Sequence, residues 1–215
     1  VEVSHVYSAN GAAHRASLYK DFYPKTCLVS MVGGREFEKN IEVQKRVIEA
    51  SPNILISRIS NINIQNYNFD KNMQYKFFSN KQQLQIQSNF FKYNFLDVIL
   101  KETYYEKKIF AKINHMFKVI KNGSLIGAST GFFTILYALM KHTDKKVIIS
   151  GIGMMGGGHY YNEKSDRYSN RSLVDRKLIL NMKKFFLQKL YTTDQNLADV
   201  AGIKIWKSEI IKDFI

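Results

Sequence analysis

The stretch LVSMVGGREFEKNIEVQKRVIEASPNILIS, residues Leu28–Ser57, decides the fold class. Its first part, Leu28–Val32, is an apolar run that closes on two glycines, which is typical of a strand followed by a turn. Glu36–Ala50 then has apolar residues at helical spacing, and Pro52 ends this helix. Ile54–Ser57 is a second short apolar run. The order strand, helix, strand predicts two parallel strands joined by a crossover helix, and hence an α/β protein.

Further elements extend this pattern on both sides. Upstream, Val3–Ser8 alternates and runs into a turn, which predicts another strand. Downstream, the pattern predicts a helix at Phe132–Lys141, a strand at Lys145–Gly151, a helix at Ser172–Leu190 and a last strand at Val200–Trp206. A chain of 215 residues fits one domain, so we expect residues 1–215 to form a mostly parallel sheet flanked by helices.

Residues 60–95 differ in composition from the rest of the chain. They are crowded with Asn, Gln, Lys and aromatic residues, as in KQQLQIQ at residues 81–87, and their periodicity is weak. We expect a variable insertion or a lid here.

The charge balance favours anionic partners. Lys and Arg number 32 against 18 Asp and Glu, which gives a net charge of +14. Such a balance suits nucleic acid, an acidic membrane surface, or phosphorylated and carboxylated small molecules. The cations are scattered rather than gathered in one tract, so a solvated basic surface also fits.

Cysteine content and hydropathy indicate the compartment. Cys27 is the only cysteine, so no internal disulfide can form, and its apolar surroundings favour a buried structural thiol over a nucleophile. No run approaches the roughly 20 apolar residues of a membrane-spanning helix, and no signal-peptide pattern opens the sequence. We expect a cytoplasmic protein, which is either free in the cytoplasm or attached peripherally to an inner membrane.

The histidines outside the glycine-rich region do not predict a metal site. His5, His14, His115 and His142 lack the spacing of metal ligands, so structural or surface roles are expected. Neither a metal nor another cofactor is expected.

Three features between residues 127 and 161 share a chemical logic. The tripeptide STG at Ser129–Gly131 opens a helix and offers two hydroxyls with first-turn N–H groups, which suit an anionic or polyhydroxy ligand. The strand that ends near Gly151 leads into a glycine-rich loop, and open α/β sheets bind ligands outside the carboxyl ends of their strands. HYY at His159–Tyr161 then adds donors for a phosphate or a leaving group.

The stretch Gly127–Tyr161 resembles two groups of sialyltransferases. Its GASTGFF segment, the strand ending SGIG and the HYY tripeptide resemble the small sialyl motif and the His-Tyr-Tyr motif of animal-type sialyltransferases. The same residues resemble the Ser-Gly helix and Ser-Gly-Ile strand of small bacterial sialyltransferases. Near the start of the chain, SANG at Ser8–Gly11 is similar to their Gly-Asn-Gly-Pro-Ser nucleotide loop, although the first Gly and the Pro-Ser are missing.

The resemblance implies a Rossmann-like domain of the GT-A-like sialyltransferase variety. It implies a CMP-activated sugar acid as donor, either sialic acid or a relative such as Kdo. It further implies inverting transfer of that sugar to a glycan hydroxyl without a metal.

By position, the resemblance also implies substrate contacts. The nucleotide phosphate would meet Asn10 and Gly11. The cytidine and the donor carboxylate would be held by Ser129, Thr130 and Gly131. The phosphate and the departing CMP would lie near His159, Tyr160 and Tyr161, and Gly151 at the strand end is a further expected substrate-binding residue.

The identity of the general base stays open. The sialyltransferases have a second histidine after the His-Tyr-Tyr motif, and no histidine follows His159 here. Either His159 takes the proton, or a carboxylate such as Glu163 or Asp175 does, or the chain is not a competent transferase. Arg167 and Arg171 could bind the donor carboxylate or phosphate in a forked geometry.

Two other functions stay open at this point. A flagellin- or polysaccharide-modifying transferase shares the Ser-Thr-Gly helix pattern but usually lacks the His-Tyr-Tyr tripeptide. A basic nucleic-acid-binding module without catalysis fits the net charge of +14 and the 13% aromatic content. No helix-turn-helix, RNA-recognition or zinc-finger pattern supports the latter.

Overall fold

The computed structural model describes residues 3–58, 60–92, 109–110, 113–114, 117, 128–151 and 170–207. Within these residues the chain is an α/β structure in which parallel sheets are flanked by helices, compatible with a Rossmann-like fold. This confirms the predicted fold class at that level.

The first sheet has four parallel strands in the order β1-β2-β3-β4. They are β1 His5–Ala9, β2 Cys27–Gly33, β3 Ile54–Arg58 and β4 Gln74–Phe78. In β2, Val29 pairs with Tyr7 on one side and with Ile54 on the other. Because helices cover both faces, β2 is a nearly continuous apolar run rather than an alternating one.

A second parallel sheet has three strands in the order β5-β6-β7. They are β5 Val147–Ile149, β6 Leu190–Thr192 and β7 Lys204–Ile205. The described helices are α1 Ala13–Ser17, α2 Tyr19–Phe22, α3 Gly34–Lys39, α4 Ile41–Glu49, α5 Asn80–Phe90, α6 Thr130–Lys141, α7 Asn170–Leu180, α8 Lys184–Leu187 and α9 Gln195–Ala201. Short 3-10 turns occupy Asn10–Ala12 and Ile64–Asn66.

Alternate residues of β2 face two separate cores. Leu28 and Val32 pack against α3 and α4, in a cluster that includes Phe37. Val29 and Met31 face the opposite side and belong to a larger cluster with α5, α6 and α7. Helix α6 is buried on almost every side because it contacts α5, β1, β2 and β5, which explains why its sequence is apolar nearly throughout.

The helix predicted for Glu36–Ala50 is in fact two helices, α3 and α4. Between them Asn40 has extended backbone angles, and its side-chain oxygen accepts a hydrogen bond from the backbone N of Val43 at 3.2 Å. Because this contact caps a helix start, Asn40 begins a new helix instead of continuing the first.

The single helix predicted for Ser172–Leu190 is wrong, because α7 ends at Leu180, the separate short helix α8 follows, and Leu190 begins β6. The backbone N of Lys183 donates to Phe90 O at 2.9 Å, so this part of the chain bonds to the end of α5 instead. A pairing between distant segments therefore ends the helix.

The predicted last strand begins too early, because α9 continues to Ala201. Gly202 then adopts a left-handed conformation with φ of 65°, which ends the helix, and β7 covers only Lys204–Ile205.

Residues 60–95 contain β4 and α5. A capping box between Ser79 and Gln82 starts α5, and Ile86 and Phe90 place that helix in the larger core. The second half of the segment thus carries a sheet strand and a core helix. That the segment is a variable insertion or a lid stays a prediction.

None of the helices in the described ranges is both long enough and apolar enough to cross a membrane.

An imidazole and phenol cluster joins the end of α6 to the start of β1. The Tyr7 hydroxyl and His142 Nε2 lie 2.9 Å apart, and the ring centroids of His5 and His142 are 4.4 Å apart. Burial lowers the pKa of both histidines below the ordinary value, and the nearby Lys145 ammonium lowers them further. Burial also raises the pKa of the Tyr7 hydroxyl. The cluster is therefore most stable with both imidazoles neutral.

We expect the free energy of unfolding to fall as the pH is lowered from about 7 to about 5. The unfolded imidazoles take up protons near their ordinary pKa of 6.5, whereas the folded His5 and His142 resist protonation. The contribution of the two neutral histidines to stability is therefore fully present above the ordinary pKa. It is lost as the pH falls from there to the lower pKa values of the folded state. Urea unfolding at several pH values will measure the slope.

The variant His142→Gln should flatten this slope, because the amide cannot titrate but can still bond to the Tyr7 hydroxyl. The control is His14→Gln, at an exposed histidine outside the cluster, which should keep the wild-type slope. Equal slopes in all three proteins would contradict the assignment.

Candidate functional site

Asn10, Gly33 and Thr130 meet at the carboxyl edge of the first sheet. Asn10 directly follows β1 with a positive φ of 48°, and its Oδ1 accepts a hydrogen bond from Gly33 N at 3.1 Å. Gly33 ends β2, and a Cβ built on it would lie 3.5 Å from Thr130 Oγ1. Two strand ends and the start of α6 therefore share one small region. This is the edge at which parallel sheets bind their ligands.

The start of α6 presents a hydroxyl and backbone amides to this region. Ser129 is the N-cap residue, and its Oγ accepts from Phe132 N at 3.1 Å. The N–H groups of Thr130 and Gly131 follow in the first turn, where no intrahelical acceptor exists. Together with the positive end of the helix dipole, these groups favour an anion.

Two buried side chains hold the turn that precedes α6. The Gln87 Oε1 on α5 accepts from Ala128 N at 2.9 Å. The Asp175 Oδ1 on α7 accepts from Ser129 N, also at 2.9 Å. Because two consecutive backbone amides are bound by two different helices, the position of the α6 start is fixed relative to both.

Arg58 connects the end of β3 to the side chains that hold the start of α6. It is fully buried, and its Nε donates to Gln83 Oε1 at 2.9 Å. Its guanidinium carbon lies 4.6 Å from the centroid of the Phe133 ring on α6, a cation–π contact. Gln87 Nε2 in turn donates to Gln83 O at 3.2 Å. A continuous path of contacts thus runs from β3 through α5 to the start of α6.

Gly34 makes a close approach to the loop after β3. A Cβ on Gly34 would lie 2.3 Å from both Ser60 O and Ser60 Oγ. Ser57 Oγ donates to the same Ser60 oxygen at 2.5 Å, which holds that loop against α3. Only glycine fits at residue 34.

The structure brings together the predicted residues at the start of the chain and at the start of α6. Asn10 and Gly11, the latter buried, follow β1, and Thr130 lies next to Gly33, with Ser129 and Gly131 beside it in the chain. Gly151 follows β5 in the second sheet, exposed and with a positive φ of 68°.

Several predicted site residues lie outside the described ranges: His159, Tyr160, Tyr161, Glu163 and Arg167. Arg171 belongs to the first turn of α7, but its side chain is not among those that the structure describes. Asp175 is described, and its carboxylate binds the backbone of Ser129.

Within the described part of the chain, no group of three or more His, Cys, Asp or Glu side chains is placed to hold a metal ion.

No protein-family model, no curated protein and no solved structure matches this chain.

Sequence reasoning missed four residues that shape the site. Arg58 carried a usable signal, because a lone arginine directly follows the apolar run of β3 at a strand end. Gly33 carried a weaker signal, because it is one of two consecutive glycines after the apolar run of β2. Gln83 and Gln87 carried none, because glutamines in a polar segment look like a solvated face until a neighbouring helix covers them.

We expect Gly34→Ala to lower the free energy of unfolding by about 1–3 kcal/mol, the usual cost of overpacking. The added methyl group would meet the Ser60 backbone oxygen, which cannot swing away as a flexible side chain can. Gly33→Ala is the matched control, since its Cβ has van der Waals clearance and its φ is −73°. Equal losses for both variants in urea unfolding would refute this account of the α3 start.

We expect Asp175→Ala to cost about 1–3 kcal/mol of stability, because it leaves the half-buried Ser129 N–H without its acceptor. Asp175→Asn keeps a carbonyl oxygen at that place, so it should lose much less. Thermal and urea unfolding will compare the two. An Asn variant as unstable as the Ala variant would show that the negative charge, and not the acceptor, is what the turn requires.

Proposed function

We propose that this chain is a sialyltransferase-like glycosyltransferase. It transfers sialic acid or a related sugar acid from a CMP-activated donor to a glycan hydroxyl, with inversion and without a metal. The observation that carries the proposal is the meeting of Asn10, Gly33 and Thr130 at the carboxyl edge of the parallel sheet.

This geometry supports binding of the anionic part of the donor. The Thr130 hydroxyl and the N–H groups of Thr130 and Gly131 supply hydrogen-bond donors at the positive end of α6. Gly33 has no side chain, which lets the Thr130 hydroxyl lie close to the end of β2. The fixed position of the α6 start supports preorganised binding, because few groups must be ordered when the donor arrives.

The proposed reaction is one displacement at the anomeric carbon of the sugar acid. A base removes the proton of the acceptor hydroxyl, the acceptor oxygen bonds to the anomeric carbon, and the bond from that carbon to the phosphate oxygen breaks. CMP leaves with the electron pair. Donors near the phosphate stabilise the charge that develops there.

For the base we propose His159, with Glu163 as the alternative. The Asp175 carboxylate is buried and binds Ser129 N, which supports a positioning role for it instead. Tyr160, Tyr161, Arg167 and Arg171 are proposed to contact the phosphate or the donor carboxylate, and Gly151 the ligand beside β5. No nucleic acid is proposed as a partner.

A cytoplasmic location, peripheral at an inner membrane, belongs to the same proposal. The net charge of +14 supports it, because an acidic membrane surface attracts a basic protein.

CMP titration tests the proposal. CMP at about 100 times its dissociation constant should raise the free energy of unfolding by about 2.7 kcal/mol. Thr130→Val should weaken CMP binding by roughly tenfold or more, because a hydrogen bond to a charged group is worth about 1.5–3 kcal/mol. Asn10→Gly, which tolerates the positive φ but removes the side chain, should also weaken it.

The matched control is Thr134→Val, the same substitution one turn further along α6, where the hydroxyl donates to Thr130 O inside the helix. It should leave CMP affinity unchanged. His159→Ala should stop the release of CMP from a CMP-sugar while the fold survives. The proposal is wrong if CMP does not stabilise the wild-type chain while oligonucleotides stabilise it in a salt-dependent way. That result would indicate nucleic-acid binding instead.

A further inference from the structure

An exposed apolar stripe lies on the helical segment between β1 and β2. Leu18, Tyr19 and Phe22 are 52%, 48% and 60% exposed. With the exposed Arg15 they follow the spacing i, i+3, i+4 and i+7, which places all four on one side of α1 and α2. We call Leu18, Tyr19 and Phe22 the amino-edge stripe. Contiguous exposed apolar side chains, unlike single ones, are typical of interaction surfaces.

The stripe continues into a shallow surface depression. Phe22 belongs to both, and the walls of the depression also include Tyr23, Pro24 and Cys27. Cys27 is the first residue of β2, so this surface lies at the amino edge of the sheet, opposite Asn10 and Thr130. The sequence predicted a buried thiol at Cys27, but the residue is only half-buried.

Several lysines lie near this apolar surface. Lys25 lines the depression itself. Burial raises the pKa of Cys27, and nearby ammonium groups oppose that rise. Asp21 is the acidic residue in the helical segment between β1 and β2. The lysines come from α2, the following loop, β4 and the turn before β5: Lys20, Lys25, Lys76 and Lys145.

The charge of the chain selects among the bodies that could cover the stripe. A second copy would bring two chains of net charge +14 together, and their repulsion opposes that contact. A nucleic acid would meet the cations and stack on Tyr19 and Phe22, but it leaves the aliphatic Leu18 without a partner. An anionic bilayer satisfies both features, since its headgroups attract lysines and its interface accepts aromatic and aliphatic side chains.

We propose that the amino-edge stripe and its lysines dock this protein on an anionic phospholipid membrane. Phe22, Leu18 and Tyr19 enter the headgroup region, and the lysines lie against the lipid phosphates and carboxylates. The carboxyl edge, with Asn10 and Thr130, then faces away from the bilayer. This inference does not depend on the proposed transferase activity.

Vesicle co-sedimentation of the full chain tests the docking. The probes are phosphatidylcholine vesicles with and without phosphatidylserine. Binding should need phosphatidylserine and weaken as salt is raised. Phe22→Ser should weaken binding by roughly tenfold or more, because it removes a large apolar side chain from the interface. Lys25→Gln should weaken it by about fivefold, the contribution of one cation at an anionic surface.

Each variant has a matched control elsewhere. Ile41→Ser removes an apolar side chain that is 80% exposed on α4, and Lys45→Gln removes an exposed cation on the same helix. Both controls should bind vesicles as the wild type does. All four positions lie at the surface, so unchanged thermal unfolding is expected to accompany these results.

Three outcomes would overturn the proposal. The first is an equal loss of vesicle binding in Phe22→Ser and in Ile41→Ser. Another is a wild-type chain that does not bind phosphatidylserine vesicles at low salt. The third is concentration-dependent dimerisation, or oligonucleotide binding, that Phe22→Ser abolishes while vesicle binding persists, which would assign the stripe to a protein or nucleic-acid partner.

Discussion

Helix α6 begins where it does because two buried acceptors bind the backbone amides in front of it. The Gln87 amide oxygen takes the N–H of Ala128, and the Asp175 carboxylate takes that of Ser129. A buried N–H without a partner costs about 1–3 kcal/mol, so these two bonds strongly disfavour other positions of the helix start. The candidate site depends on this constraint, because Thr130 reaches Gly33 only when α6 begins at this place.

The fully buried Arg58 extends the same constraint to the first sheet. A guanidinium is expensive to bury, and it is retained in a core only where its contacts are specific. Here it binds Gln83 and lies over the Phe133 ring, so it ties β3 to both α5 and α6. Gly34 acts on the other side of β3, where contact with the Ser60 loop leaves no room for a side chain. The carboxyl edge is thus held by contacts on both faces of β3.

The two edges of the first sheet have different chemistry. At the carboxyl edge, backbone amides, small residues and hydroxyls gather around two strand ends and one helix start, which suits a small anionic ligand. At the amino edge, apolar side chains and lysines are exposed together, which suits an extended anionic surface. The Tyr7–His142 contact fixes the far end of α6 at that second edge. One helix therefore connects the two surfaces.

Local patterns were enough to predict the α/β class, the early strands and the position of α6, because continuous apolar runs and a Ser cap are local signals. They also singled out Asn10 and Ser129–Gly131, since glycine, Asn and hydroxyl residues at element ends are visible without a fold. The end of α7 at Leu180 could be found only from the folded chain, because the segment after it pairs with the distant end of α5. Likewise Gln83, Gln87 and Arg58 acquired their roles through burial against partners far along the chain. Local periodicity reports which face of an element is apolar, but it does not report which distant element will cover that face.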